Sequence, residues 1–347
     1  MRHGLTAIVV LATSAAHAQT GDELFESALA LTDVVTTRGC GPHLVDSSAH
    51  PFREAPAACD VFLSLALASM AVDAPARTPA ARAAIERLYG HVRAQPQQAI
   101  FRSSGNVSFE RQRLPRSVLY RGYALLVGAA LERLGGRAEG VELLAGSLAR
   151  DLEGGWLPSF GRSIWPCDHA PAAAGLILMG QLRREPGWER AGRGLVDRLS
   201  ARLDPQFPAR IDARGRAVEP LPRGTVLAFT AGFLQHADID SARLFANALA
   251  EGFCDRLGGL AACREWPRGV DRRADAVSGP IVGGYGTGAT ALGGGATRVL
   301  ADRSLHEGLL ASAEQLGIER IRADRARFGL ENAIDLWSRS ARFLGTP

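Results

Sequence analysis

The chain has 347 residues, 46% hydrophobic and 22% charged, a globular balance that excludes a disordered or fibrous protein. Its net charge of +4 is small for that length, and all 40 basic residues are arginines, lysine being absent. With no basic run carrying interleaved aromatics, the charge argues against DNA or RNA as a partner.

The chain opens MRHGLTAIVVLATSAAHAQT, with a basic start at Arg2 and His3, an apolar stretch from Leu5 to Leu11, and then Ala16-His17-Ala18. That is the order of a secretory signal peptide, and the apolar stretch is far shorter than the roughly 20 residues that cross a bilayer. Residues 1–18 read as a signal peptide, residues 19–347 as one mature domain, and the location as periplasmic or secreted. No cysteine follows the cut closely, which argues against a lipid anchor.

From Asp22 on, helix follows helix. Apolar spacing and turn residues predict helices at 21–36, 56–73, 79–94, 114–134, 137–152, 169–184, 187–203, 224–236, 239–256, 280–300, 302–317 and 326–344. Thr78-Pro79 starts one of them and Gly135-Gly136 ends another. Only 207–220 reads as strand, a small β-hairpin turning at Arg214-Gly215. The uncharged stretch Ser278 to Thr297 could pass for a membrane span, but its glycines dilute it, and a buried helix after a glycine-rich loop is expected.

These helices alternate in character. Ala80–Val92, Ala138–Leu152 and Trp188–Leu203 carry charge on one face, whereas Val118–Ala130, Ala170–Gly180, Thr225–Phe233 and Ile281–Leu292 are rich in Ala, Gly and bulky apolar residues with few charges. About twelve helices alternating between surface and core predict an all-α fold, an (α/α)6 toroid with six inner and six outer helices. A helical solenoid would alternate likewise, but no self-similar period is present.

The cysteines are Cys40, Cys59, Cys167, Cys254 and Cys263. In an oxidising compartment, Cys254 and Cys263 flank a Gly-Gly turn and can pair, Cys40 and Cys59 bracket a polar loop and can pair, and Cys167 is left over.

Unusual residues cluster just before or within the first turns of the inner segments: Arg113, Arg116, Tyr120, Arg121 and Tyr123; Trp165 to His169; Arg223; and Asp275. Parallel inner helices would gather them on one rim, where helix N-termini favour anionic groups. Asp168 reads either as an ordinary N-cap or as a base whose pKa the helix dipole lowers. Cys167 reads as a small buried side chain or as a thiol activated at a helix start. Asp275, in a DRRAD loop, becomes a second carboxylate if it faces Asp168. His169 has no partner histidine at ligand spacing, and HExxH, CxxC, the Gly-x-Ser-x-Gly elbow and a P-loop are all missing, so no metal or other cofactor is expected. Gly284–Gly288, GYGTG, follows no strand and is not a dinucleotide fingerprint.

Three short motifs carry a resemblance: Arg38-Gly39-Cys40 after the first helix, Leu119-Tyr120-Arg121-Gly122-Tyr123-Ala124-Leu125 opening an inner helix, and Cys167-Asp168-His169 before an alanine-rich one. In these, and in the order of its segments, the chain resembles the linalool dehydratase/isomerase family, exported (α/α)6 barrels that interconvert and dehydrate terpene alcohols. The resemblance departs at chemistry-bearing positions. Of the family's cysteine pair only Cys167 matches, with Pro158 or a neighbour in the other region, and the family's histidine falls on Tyr123. Its aspartate and tyrosine before Arg-Gly-Cys have only Asp33 and Thr36 nearby.

The leading expectation is a cofactor-free enzyme performing acid–base elimination or isomerisation on a small organic alcohol. Asp168, Cys167, Tyr123 and Asp275 would be catalytic, and Trp165, His169, Tyr120, Arg116, Arg223 and Tyr285 would bind substrate. The alternative is a hydrolase or lyase acting on a glycan, with Trp156, Trp165 and Trp266 as stacking platforms. A third reading is a toroid that binds a ligand without turning it over. The expected partner is a small-molecule or saccharide substrate, with no membrane span and with self-association left open.

Overall fold

The computed structural model describes residues 19–40, 54–94, 98–99, 101–109, 112–204, 206–273 and 278–345. The expected signal peptide, residues 1–18, lies outside them.

Helix α1 (Gly21–Arg38) begins where Thr20 and Glu23 cap each other. The Thr20 hydroxyl accepts from the Glu23 amide, and the Glu23 carboxylate accepts from the Thr20 amide. Helix α2 (Ala55–Asp73) carries no ionisable side chain between its ends except Asp60, and it is buried on all sides. Then come α3 (Thr78–Val92), α4 (Val118–Arg133), α5 (Val141–Glu153), α6 (Ala170–Arg183), α7 (Pro186–Ser200), α8 (Gly224–Leu234) and α9 (Ile239–Phe253). The chain ends with α10 (Thr287–Ala296), α11 (Ser304–Gln315), a short α12 (Ile318–Ala323) and α13 (Gly329–Ser340).

Packing follows composition. The apolar helices form a closed inner ring in which α2 packs on α4, α4 on α6, α6 on α8, α8 on α10, α10 on α13, and α13 back on α2. Helices α1, α3, α5, α7, α9 and α11 bury one stripe each against that ring. This is the all-α (α/α)6 toroid that the alternation predicts. Helix α2 is long and apolar enough to cross a membrane, but it is an inner-ring helix with 89% of its apolar window buried.

The closing seam is held by Trp337 of α13. Its ring is fully buried, 5.0 Å from that of Phe62 on α2, and its Nε1 donates to His236 Nε2 at 3.0 Å. Gly295 on α10 lets the indole in, because a Cβ there would collide with the six-membered ring.

Four antiparallel hairpins decorate the toroid among the described residues. These are β1 (Asn106–Phe109) with β2 (Gln112–Pro115), β3 (Arg210–Ile211) with β4 (Ala217–Glu219), β5 (Cys254–Leu257) with β6 (Leu260–Cys263), and β7 (Ile281–Val282) with β8 (Tyr285–Gly286). The β3–β4 pair is the hairpin expected within 207–220. The others correct helix boundaries. The predicted helix 239–256 stops at Phe253, where residues 254–263 double back, and the predicted helix 280–300 starts only at Thr287. The predicted helix 114–134 starts at Val118 because the Ser117 hydroxyl caps it, accepting from the Tyr120 amide. Both disulfides form as expected, Cys40–Cys59 and Cys254–Cys263, leaving Cys167 free and buried.

Candidate functional site

All six inner helices turn their N-terminal ends toward one cavity of about 190 Å³. Helix α2 brings Glu54, Ala58 and Phe62, and α4 brings Leu119 and Tyr123. The turn before α6 adds Trp165, Cys167 and Asp168, and α8 adds Arg223, Thr225, Val226 and Phe229. Gly288 and Leu292 of α10, Leu330 and Ile334 of α13, and Phe160 complete the wall. The lining is mainly apolar, with a few polar groups converging at one level. The described lining residues include two carboxyls, Glu54 and Asp168, and one guanidinium, that of Arg223.

Asp168 lies in a 3-10 turn, Pro166–His169, that leads into α6. It does not cap that helix: the N-cap residue is His169, which makes no side-chain capping bond. Asp168 is only 8% exposed, and burial raises its pKa to about 7, with hydrogen bonds from the Ser159 and Cys167 side chains opposing the rise. This reverses the expectation of a lowered pKa, because loss of water outweighs the helix dipole. The carboxyl therefore holds its proton up to neutrality and can act as an acid.

Cys167 places Sγ 3.7 Å from Asp168 Oδ1, so the thiol donates to the carboxyl. Burial, then the neighbouring Asp168, raise its pKa well above the ordinary value, while Arg223 opposes them. Of the two readings of Cys167, the small buried side chain holds, and the thiol stays neutral rather than activated. Tyr123 packs between Phe229 and Phe233, and burial followed by the charges of Asp168 and Glu54 keeps its hydroxyl protonated.

Five of the ten residues expected at the site line this cavity: Cys167, Asp168, Tyr123, Trp165 and Arg223. Asp275 lies outside the described residues. The remaining four are placed elsewhere. His169 is a brace: its Nε2 accepts from the Leu157 amide at 3.1 Å, its Nδ1 donates to the Trp165 carbonyl at 3.2 Å, and burial lowers its pKa to about 3. Tyr120 is buried against Phe101 and does not line the cavity. Arg116 is exposed and gives its carbonyl to Arg121. The Tyr285 hydroxyl donates to Asp255 at 2.9 Å within an Arg264–Asp255–Arg268 cluster. Of the three suggested tryptophan platforms only Trp165 faces the cavity. Trp156 packs on His169, and Trp266 lies under Arg223 and Arg272. Among the described residues, no group of three or more His, Cys, Asp or Glu stands together to hold a metal.

No family model matches the chain, and no curated protein matches it. Solved structures do match in fold. An α-1,6-mannanase of Salegentibacter in complex with α-1,6-mannotetrose aligns over 93% of this chain and 99% of its own, at 12% identity and a TM-score of 0.53. The unsaturated glucuronyl hydrolase of a Bacillus, responsible for degradation of glycosaminoglycan, covers 94% of this chain and 99% of its own at 13% identity and 0.53. The Lin0763 protein of Listeria innocua covers 91% and 96% at 11% identity and 0.52. At such identities the likeness establishes the fold alone.

Sequence reasoning missed three polar residues here. Glu54 sits directly before α2, the same kind of position that singled out Asp168, so the signal was available. Ser159, next to Pro158, is fully buried with its hydroxyl on Asp168. Glu265 is fully buried and accepts from Arg223 Nε at 2.5 Å and from the Thr225 hydroxyl. Nothing in the local sequence announces that pairing across 42 residues.

Proposed function

We propose that the protein is an acid catalyst of C–O bond cleavage acting on a small hydroxylated substrate, with Asp168 as the proton donor. The observation that carries this reading is a carboxyl that titrates near pH 7 on the wall of a cavity fed by all six inner helices. The Cys167 thiol donates to Oδ1, and the proton that the carboxyl holds passes to the leaving oxygen of the substrate. As the C–O bond breaks, positive charge grows on carbon. The Glu54 carboxylate on the same cavity stabilises that charge and in hydrolysis receives the proton of the attacking water. Phe62, Tyr123, Phe229 and Trp165 offer flat faces against which a ring can lie.

Glycoside hydrolysis or lysis is the first form of this chemistry. Support comes from the fold shared with a mannanase and a glucuronyl hydrolase and from a pair of carboxyls in one pocket. A cavity of this size suits one terminal sugar rather than a long glycan. The second form is dehydration or isomerisation of an alcohol, as in the linalool dehydratase/isomerase family that the Cys-Asp-His motif resembles. The apolar wall supports it, since a hydrocarbon chain gains from such a lining and a polyhydroxylated one does not. Two disulfides support work in an oxidising compartment, in keeping with residues 1–18 acting as an export signal.

The test is product analysis of the purified mature protein on neutral oligosaccharides, unsaturated uronic-acid oligosaccharides and terpene alcohols, beside Asp168→Asn. Turnover of one class that the variant lowers at least 100-fold is expected. A folded Asp168→Asn protein with full activity would overturn the assignment.

A further inference from the structure

We propose that Phe233 sets how deep a substrate reaches into the site. With Phe62 it closes the axis of the ring below the cavity. The cavity is then a blind pocket, and whatever part of the substrate extends below Asp168 must end there. The inference rests on the reading of the cavity as the substrate site, but not on which reaction occurs there.

The wall is built in two layers. Five inner helices each give two lining residues four positions apart, among them Ala58 and Phe62 on α2, Leu119 and Tyr123 on α4, and Thr225 and Phe229 on α8. Four residues of helix rise about 6 Å, so the second member of each pair stands about one turn farther from the helix N-termini. The first layer includes the small side chains Ala58, Thr225 and Gly288, whereas the second is Phe62, Tyr123, Phe229, Leu292 and Ile334. Bulk therefore increases away from the rim that carries Asp168.

Phe233 stands one turn below Phe229, is 1% exposed, and does not line the cavity. Its ring lies 4.6 Å from that of Phe229, 5.9 Å from Tyr123 and 5.4 Å from Phe62. The contact with Phe62 carries the argument. Helices α2 and α8 are three steps apart in a ring of six, so side chains that meet between them span the axis. Trp337 of α13 fills in beside them. Its ring is 5.0 Å from that of Phe62, and a Cβ on Gly232 or Gly295 would collide with it. An engineered apolar cavity of about 150 Å³ holds benzene, so a blind pocket of about 190 Å³ takes a body near that size, and a longer group needs the floor removed.

The test uses benzene and its n-alkyl derivatives from toluene to n-hexylbenzene. Binding is read from the methyl NMR signals of Leu292 and Ile334, which lie in the lower layer. Wild-type affinity should rise roughly fourfold for each added CH2 and then stop rising once the chain meets the floor. In Phe233→Ala, which alters no wall side chain, that limit should move out by about two or more CH2 groups. Folded Phe233→Ala with the wild-type limit overturns the proposal, and so does a wild-type affinity that climbs through the whole series. Binding of no member to the wild type overturns it as well, because the pocket is then closed to an apolar group. If Phe233→Ala does not fold, Phe233→Leu decides by the same comparison, and an unchanged limit again overturns the proposal. None of these readouts needs turnover. A shifted limit beside a lack of reaction on sugars and alcohols would support the depth limit and sink only the proposed catalysis.

Discussion

Asp168→Asn should stabilise the protein at alkaline pH and leave it unchanged in acid. The folded state holds the proton of Asp168 to about pH 7, whereas an ordinary aspartate releases it near 3.8. A folded-state pKa above the unfolded one means that the stability contribution is full below pH 3.8 and is lost as pH rises through 7. The gap is about three pH units, and at about 1.4 kcal/mol each the ionised carboxylate costs about 4 kcal/mol above pH 8. Asparagine cannot ionise and avoids that cost. Asp60, raised to about 6 by burial against an opposing bond to His91, tilts the pH profile in the same direction but is common to both proteins and cancels in their difference. Urea midpoints for wild type and variant at pH 4 and pH 9 supply the measurement. The variant's advantage should grow by about 4 kcal/mol between those pH values. An advantage that does not change with pH would refute the reasoning, since any altered packing or hydrogen bond to Ser159 contributes equally at both. The same titration should cut turnover as pH rises above about 7, where the acid is spent.

Three further outcomes follow from other parts of the ring. Gly295→Ala drives a methyl into the Trp337 indole at the seam and should cost about 1–3 kcal/mol in thermal or denaturant unfolding. Replacing Cys254 and Cys263 by serine opens a loop with a sequence separation of 9 and should cost about 3 kcal/mol on the chain-entropy argument, read as a lower urea midpoint. His169→Phe leaves the buried Leu157 amide without its acceptor and should cost about 1–3 kcal/mol at pH 8. That cost should shrink in acid. Wild-type His169 has its pKa lowered from 6.5 to about 3, so its own contribution is lost as pH falls through that window.

The architecture was legible because burial leaves a mark on composition. A helix such as Val118–Ala130 with no polar face has only one place in a toroid, and the seam at Trp337 completes what the alternation implies. Helix ends were less legible. Ile239 to Arg256 keeps helical spacing past Phe253, and only the tertiary pairing of Cys254 with Cys263 turns the last residues into strand. Within the site, Asp168, Cys167 and Arg223 were found because each stands at the start of an inner helix, which fixes its place on the rim. His169 shares that position yet points away, since a side chain's direction depends on its turn and not on its place in the chain. Glu265 reaches the site from a strand-to-loop junction, a place that helix periodicity does not flag.

The sign of the Asp168 shift shows where electrostatic reasoning from sequence fails. A helix N-terminus favours a nearby carboxylate by about 0.3–1 kcal/mol at the surface and by at most ~2 kcal/mol in partly buried sites. Withdrawing the same group from water can raise its pKa by up to about 3–5 units when nothing compensates, which is several times larger. The sequence shows the first effect, because Pro166-Cys167-Asp168-His169 visibly precedes a helix. It does not show the second, which arises when Phe160, Trp165 and Tyr123, brought from separate elements, close over the carboxyl and leave it two weak donors, Ser159 and Cys167, in place of water. The apolar wall and the acid are therefore one device. A wall with more polar groups would return Asp168 to an ordinary carboxylate and remove the proton donor on which the proposed chemistry depends.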